Sequence, residues 1–152
     1  MFRGKSSLNM DSKGRLAIPS RYRARLQEMC EANLVATFSP NNHCVWIYPL
    51  PEWEVTEAKL IALPDFNKRV RQTKVAMLNH AEDCTLDSQG RIRLESSLIE
   101  HAGLVKEAVI FGQGNKFELW NEASWNIEHQ EWLDSMGDDD DEIPEALSQL
   151  SL

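Results

Sequence analysis

The chain has 152 residues, 42% of them hydrophobic, and a formal net charge of −8, which suits a globular protein with a buried core. No apolar run approaches the roughly 20 residues that cross a bilayer, and the amino terminus lacks a signal-peptide core, so we expect a cytoplasmic protein without a membrane partner. Three cysteines without a C-x-x-C pair argue against a disulfide framework and a zinc site.

Positive charge is concentrated at the start of the chain. Residues 1–80 hold 12 lysines and arginines against 7 acidic residues, whereas residues 81–152 hold 4 against 17. Because nucleic-acid binding depends on a local basic face and not on whole-chain charge, this asymmetry indicates an anionic partner. For Arg21, Arg23 and Arg25, a helix face exposed to solvent is an equally good explanation. The first 25 residues contain seven cations, Arg3, Lys5, Lys13, Arg15, Arg21, Arg23 and Arg25.

A short polar motif, taken first in chain order, divides the chain into two similar parts. Asp11–Arg15 (DSKGR) recurs 76 positions later as Asp87–Arg91 (DSQGR). Gly14 and Gly90 can adopt positive φ, and an aspartate that opens a turn can accept hydrogen bonds from the turn's own amides. Alternating apolar residues flank each copy, which predicts two hairpins. Their strands are Lys5–Met10 with Arg15–Ile18, and Cys84–Leu86 with Arg91–Leu94.

Between the motifs, the pattern predicts three helices and two strands. The strands are Asn33–Ser39 and Cys44–Tyr48. The first helix begins after a Ser20 cap, and the other two span Glu52–Leu63 and Phe66–His80. Apolar spacing gives the first two helices a buried face each, formed by Tyr22, Leu26 and Met29 and by Trp53, Leu60 and Ile61.

After the second motif the same order returns, which predicts an internal repeat. A short helix at Ser96–His101 precedes strands at Glu107–Phe111 and Lys116–Trp120. Asn121 is expected to cap a last helix in which Trp125, Trp132 and Leu133 share a face. Five consecutive acidic residues, Asp138–Glu142, then follow.

These elements predict a mainly β protein with short helices, of the α+β class. We expect the first repeat at 1–64, a linking helix at 65–80, the second repeat at 81–135 and an acidic, disordered tail at 136–152.

The motifs resemble those of the MraZ family of bacterial regulators. The likeness is carried by the opening Met1–Gly4, by Leu8–Arg23 around the first motif, by Trp46–Trp53 (WIYPLPEW), by the second DSQGR and by Lys116–Trp120. It extends over nearly all of the chain to about residue 135.

The resemblance implies a tandem AbrB-like swapped-hairpin barrel that assembles into an oligomeric ring. It also implies a nucleoid-associated repressor that binds direct repeats in double-stranded DNA upstream of its own division and cell wall gene cluster. The family's DxKGR loop matches Asp11, Lys13, Gly14 and Arg15. The second copy departs from that pattern because Gln89 replaces the lysine, so Arg91 either binds DNA with less surrounding charge or serves the structure.

The chemistry of these side chains supports a DNA-binding loop. Arg15 can donate two parallel hydrogen bonds to a phosphate or to guanine, whereas Lys13 and Lys5 act as point charges. Arg3 and Arg91 add further cations. One chain offers too few cations for tight binding at physiological salt, so repetition of the loop around a ring would raise the effective concentration.

Two other functional classes were compared with DNA binding. An antitoxin-like or scaffold module would use the acidic tail, with Ile143 and Leu147, to bind a protein partner. An enzyme is disfavoured because no P-loop, dinucleotide fingerprint or nucleophile motif is present, and we expect no cofactor and no small-molecule substrate. His43 and His80 lack ligand-spaced neighbours, so we expect no metal site, and Cys84 is interpreted as a core residue.

Overall fold

The computed structural model describes residues 1–136 and 143–151. Eight strands are found, at Lys5–Asn9 (β1), Arg15–Ala17 (β2), Asn33–Phe38 (β3), Val45–Pro49 (β4), Glu82–Thr85 (β5), Arg91–Arg93 (β6), Glu107–Gly112 (β7) and Phe117–Asn121 (β8). Six helices lie in these two described ranges, at Ser20–Cys30 (α1), Leu50–Ala62 (α2), Lys68–Asn79 (α3), Ser96–His101 (α4), Glu122–Ser135 (α5) and Glu145–Ser148 (α6). No helix in this part of the chain is both long and apolar enough to span a bilayer.

The strands form a six-stranded antiparallel sheet in the order β1-β7-β8-β4-β3-β5 and a separate two-stranded ribbon of β2 and β6. The two predicted hairpins are therefore wrong in their pairing: β1 pairs with β7, β5 pairs with β3, and β2 pairs with β6. An isolated two-stranded hairpin is marginally stable, whereas each of these strands gains a partner and a buried face by pairing across the repeat.

An internal pseudo-two-fold axis relates the two halves. In the β2–β6 ribbon Leu16 lies opposite Ile92, its equivalent 76 positions later. In the sheet, Trp46 of β4 lies opposite Glu118 of β8, its equivalent 72 positions later. The first half thus supplies β1 to the second half's strands and receives β5 in exchange, which confirms a mainly β fold built from two interlocked repeats.

The main core lies between the ribbon and the large sheet. Leu16 and Ile92 are each 1% exposed and contact fully buried residues of the sheet and helices, which include Leu26, Ile47, Leu98, Ile110 and Phe117. Phe2 and Tyr22 pack on Phe117 with ring centroids 4.4 Å and 4.9 Å away. Cys84 belongs to this core, as predicted, and burial raises the pKa of its thiol to about 12.

Several local predictions need correction. Ser20 is the first residue of α1 and caps nothing, because Pro19 occupies the N-cap position. Met29 of α1 and Ile61 of α2 are exposed, although α1 buries Tyr22 and Leu26 and α2 buries Trp53 and Leu60. Trp132 and Leu133 of α5 are also exposed, and α5 has no buried residue. The predicted faces extend beyond the surface that the sheet and neighbouring helices cover. Asn121 does cap α5, since its side chain accepts from the Ser124 amide. The acidic run Asp138–Glu142 lies outside the described residues.

Candidate nucleic-acid interface

The β2–β6 ribbon carries three arginines on its outer face. Alternation along a strand turns Leu16 and Ile92 into the core, so the residues on either side of them point outward. Arg15 lies directly opposite Arg93, and Ala17 lies opposite Arg91. The register therefore gathers cations from both halves onto one short surface.

The first motif forms a closed turn at one end of this ribbon. Gly14 adopts a φ of 76°, which allows its amide to reach the carbonyl of Asp11. The Oδ1 atom of Asp11 accepts from the amides of Lys13 and Arg15, each at 2.9 Å. Its Oδ2 atom accepts from the Nε of Arg15 at 2.7 Å. Asp11 thus holds the turn and the guanidinium in one arrangement.

These hydrogen bonds also set the ionisation of the turn. The Arg15 amide, with smaller contributions from the Arg15 side chain and the Lys13 amide, lowers the pKa of Asp11 from 3.8 to about 2. The carboxylate therefore stays charged at neutral pH. Lys13 is exposed, and the Arg15 side chain is 31% exposed.

The second motif repeats the geometry at the other end of the ribbon. Asp87 accepts from the amides of Gln89 and Arg91 at 2.8 Å and 2.9 Å, and from the Nε of Arg91 at 2.9 Å. The Arg91 amide again makes the largest contribution to lowering the pKa of Asp87. The side chain of Arg91 is 29% exposed, close to that of Arg15. Gln89 is exposed where the first turn presents a lysine.

Each turn is completed by a residue from the opposite half. A Cβ atom on Gly14 would lie 2.9 Å from Cδ1 of Ile99, whereas one on Gly90 would overlap the side chain of Arg23. Ile99 and Arg23 are themselves equivalent positions, 76 residues apart. Arg23 is held there by its Nε, which donates to the Ile18 carbonyl at 2.6 Å. The second turn thus receives from α1 a cation that its own sequence lacks.

The predicted site residues do not all line one surface. Asp11, Lys13, Gly14, Arg15 and Arg91 belong to the ribbon and its turns. Exposed Arg3 instead lines a groove of about 680 Å³, whose other lining residues are Met1, Gly4, Arg21, Tyr22 and Arg25.

Arginines of α1 close this groove against the amino-terminal segment. Arg21 donates to the Ser6 hydroxyl at 2.8 Å, and Arg25 donates to the Met1 carbonyl at 2.8 Å. Both are therefore partly engaged with the protein and do not form a purely solvated helix face. Lys5 is exposed at the start of β1.

Sequence reasoning missed two cations near the ribbon and its turns, Arg93 and Arg23. Arg93 stands two residues beyond the second motif, and only the register of β2 against β6 brings it opposite Arg15. Arg23 was visible as part of a basic segment, but its contact with the second turn depends on packing between the halves.

Comparison with known proteins agrees with this architecture. A family model described as "MraZ protein, putative antitoxin-like" matches residues 1–76 and again residues 77–142. The chain belongs to the MraZ family. The two matches correspond to the two interlocked halves, and the resemblance seen in the sequence is confirmed.

Curated MraZ proteins are similar to this chain over nearly their whole length. A protein named Transcriptional regulator MraZ from Hydrogenovibrio crunogenus is 49% identical over 151 residues, which cover 99% of this chain and 98% of the relative. Proteins of the same name from Halorhodospira halophila and Serratia proteamaculans are 46% and 44% identical over 152 residues, the whole of both chains.

Proposed function

We propose that this MraZ-family protein is a DNA-binding transcription regulator that contacts the duplex through the outer face of the β2–β6 ribbon and its two turns. The observation that carries the proposal is the register that sets Arg15 opposite Arg93, with Arg91 on the same face. A two-stranded ribbon fits the major groove of B-DNA, where arginine can donate to guanine O6 and N7.

The ion pairs within the turns favour this use of the arginines. Asp11 and Asp87 engage only the Nε atoms of Arg15 and Arg91, and within residues 1–136 and 143–151 the terminal guanidinium nitrogens have no hydrogen bond. The carboxylates therefore act as positioning groups, and the two terminal nitrogens remain available to a phosphate or a guanine. Lys13 adds a point charge at the first turn, where Gly14 permits the close backbone turn.

The two ends of the ribbon differ, and this difference suits a non-palindromic DNA element. Exposed Lys13 corresponds to Gln89, Ala17 corresponds to Arg93, and Ile99 corresponds to Arg23. A ribbon with unlike ends has a direction on DNA, because reversing it exchanges unlike side chains. If neighbouring subunits are related by rotation about one axis, their ribbons point the same way along DNA, which suits direct repeats.

We further propose that copies of the chain form a ring that binds direct repeats upstream of its own division and cell wall gene cluster and represses it there, in association with the nucleoid. Few cations per copy give weak, salt-sensitive binding, and repetition raises the effective concentration of the next ribbon. Arg3 and Lys5 lie near the amino terminus and would add electrostatic attraction. The alternative, an antitoxin-like or scaffold module, depends on a tail of which residues 137–142 lie outside the described chain.

Fluorescence anisotropy with DNA from upstream of the protein's own gene, at several salt concentrations, tests the proposal. Arg15→Ala should abolish specific binding while the oligomer persists in sedimentation. Lys59→Ala, which removes an exposed cation from α2, serves as the matched control and should bind like the wild type. Wild-type affinity of Arg15→Ala in the anisotropy titration would contradict the proposal.

A further inference from the structure

The two halves differ in what covers their final amphipathic helix. The helices α2 and α5 are equivalent, with Trp53 corresponding to Trp125 and Leu60 to Trp132, 72 residues apart in each case. In the first half, α3 folds back over α2, and Met77 is 3% exposed in a cluster that contains Val35, Tyr48, Trp53 and Leu60. No helix of the described chain covers α5 in this way.

The uncovered helix exposes a tryptophan whose equivalent in α2 is buried. Leu60 is 8% exposed, but Trp132 is 58% exposed, and α5 has no buried residue. We define the α5 face as the residues at helical spacing around Trp132, namely Trp125, Glu128, His129, Trp132 and Leu133. Apolar groups of this size on one helix face mark a surface that another element covers.

Two nitrogen atoms on this face also lack partners. In α2 the indole N–H of Trp53 donates to Glu57 at 3.1 Å. The residue equivalent to Glu57 in α5 is His129, and neither Trp125 Nε1 nor His129 Nδ1, both buried, finds a hydrogen-bond partner among the described residues. Buried polar groups in folded proteins are usually satisfied, so the α5 side chains lack the hydrogen bond that holds Trp53 in α2.

Charge selects the occupant of the α5 face. The four charged side chains of α5, apart from His129, are acidic: Glu122, Glu128, Glu131 and Asp134. The four charged side chains of α3 are basic: Lys68, Arg69, Arg71 and Lys74. The chain's own tail is a poor match, because Asp138–Glu142 and Glu145 would repel α5.

A groove along α3 could bind an exposed aromatic side chain. It has a volume of about 400 Å³ and is lined by Asp65, Arg71, Lys74, Val75, Leu78 and Asn79, which together we call the α3 groove. Lys74 is already paired with Asp65 at 2.9 Å. Arg71 is exposed and has no ion pair within the described chain, so it can stack on an indole or pair with a carboxylate. Phe66, which is 99% exposed, lies just before α3.

We propose that the α5 face of one copy docks on the α3 groove of a second copy, with Trp132 in the groove and Glu128 and Glu131 beside Arg71 and Lys68. The contact is heterologous, because two different surfaces meet, so repetition produces a closed ring or an open filament. It rests on the oligomer of the proposed function and deepens it by naming the two surfaces. None of the residues named in the contact belongs to the β2–β6 ribbon, which stays available to DNA.

Complementation between two full-length variants tests the contact. Glu128→Lys combined with Glu131→Lys disables the α5 face, and Arg71→Glu disables the α3 groove. In sedimentation velocity, each variant should need at least about tenfold more protein than the wild type to assemble. An equimolar mixture should form dimers and nothing larger, because only the intact α5 face of the Arg71→Glu variant can bind the intact α3 groove of the other variant. Glu54→Lys on the exposed side of α2 is the matched charge-reversal control.

The outcomes separate the interface from the wider proposal. Wild-type assembly by both variants, or variants that do not dimerise when mixed, would overturn the interface and leave the DNA-binding proposal standing. A wild type that stays monomeric at every concentration would overturn both the ring and this interface. Circular dichroism and binding of each variant to a single DNA repeat verify that the variants fold. Restored assembly on combining Glu128→Arg with Arg71→Glu in one chain would support a direct charge contact.

Discussion

The amide of Leu94 donates a hydrogen bond to the carbonyl of Gly14 at 3.0 Å, and the amide of Ile18 donates to the carbonyl of Gly90 at 2.9 Å. Each motif turn is therefore closed by the half of the chain to which it does not belong. Both acceptor glycines have positive φ, 76° at Gly14 and 74° at Gly90. This exchange couples the two turns, so damage at one should weaken both halves together.

Replacement of Gly14 by alanine should destabilise the whole protein. Alanine would have to adopt the left-handed backbone of Gly14, which is unfavourable for a residue with a Cβ. Its Cβ would also lie only 2.9 Å from Ile99 Cδ1 and 3.3 Å from the Leu94 carbonyl. We expect a loss of about 2–3 kcal/mol in the free energy of unfolding, measured in urea. Gly103→Ala is the control and should cost only about 1 kcal/mol, because Gly103 also has positive φ but no atom of the described residues lies within 4 Å of its Cβ position. Equal losses would show that contact across the halves contributes nothing.

Acid should weaken the wild-type turn through Asp11. Its pKa is about 2 in the folded chain against an ordinary value of 3.8. A depressed pKa contributes stability that is fully present above the unfolded value and is lost as the pH falls through the folded value. Thermal melting should therefore show a drop in stability between pH 4 and pH 2 that Asp11→Asn lacks at this site.

The matched variant for this pH experiment is Glu54→Gln. Glu54 is an exposed residue of α2 that belongs neither to the motif turns nor to the proposed α5–α3 contact. It should follow the wild-type acid profile closely. An Asp11→Asn protein that loses as much stability as the wild type between pH 4 and pH 2 would contradict the role given to the turn carboxylate.

The turns and their chemistry could be predicted because they are local. Asp11 and Gly14 lie three residues apart, and the hydrogen bonds they make depend on little beyond that spacing. Strand pairing could not be predicted in the same way. A turn of this kind normally joins a hairpin, and only packing between the halves decides that β2 pairs with β6.

The same limitation explains the residues that were missed. Arg93 reaches Arg15 only through that long-range register, and Arg23 reaches Gly90 only through the packing of α1 on the other half. Trp132 was predicted to share a packed face with Trp125 from helical spacing alone. Helical spacing identifies an apolar face but does not tell whether another element of the same chain packs on it. Here no element of the described residues buries Trp132.

Equivalent helix positions should respond differently to truncation. Leu60→Ala opens a cavity beneath α3, where the side chain is 8% exposed, and should cost about 2–5 kcal/mol of unfolding free energy. Trp132→Ala should change it by about 0.5 kcal/mol or less, because the side chain lies mostly in solvent. Urea titrations in the Arg71→Glu background, which disables the α3 groove, keep assembly from adding to the measurement. A large loss for Trp132→Ala in that background would place its packing within one chain.

Arg93 and Arg23 should each contribute to DNA affinity, at opposite ends of the ribbon: Arg93 lies opposite Arg15 near the first turn, and Arg23 contacts the second turn. If each contacts a phosphate, its replacement by alanine lowers the slope of log K against log salt by about one and weakens binding to all sequences. If Arg93 instead donates to a guanine, Arg93→Ala should relax sequence preference at one base pair by about 1–3 kcal/mol. The reciprocal variant Ala17→Arg supplies the missing cation at the equivalent position of the first half and should raise affinity and the salt slope. Anisotropy over a salt series with single-repeat DNA separates these cases, since it removes the contribution of ring assembly. If Arg23→Ala binds with wild-type affinity and slope while Arg15→Ala and Arg93→Ala bind more weakly, only the first-turn end contacts DNA and the second turn serves the fold.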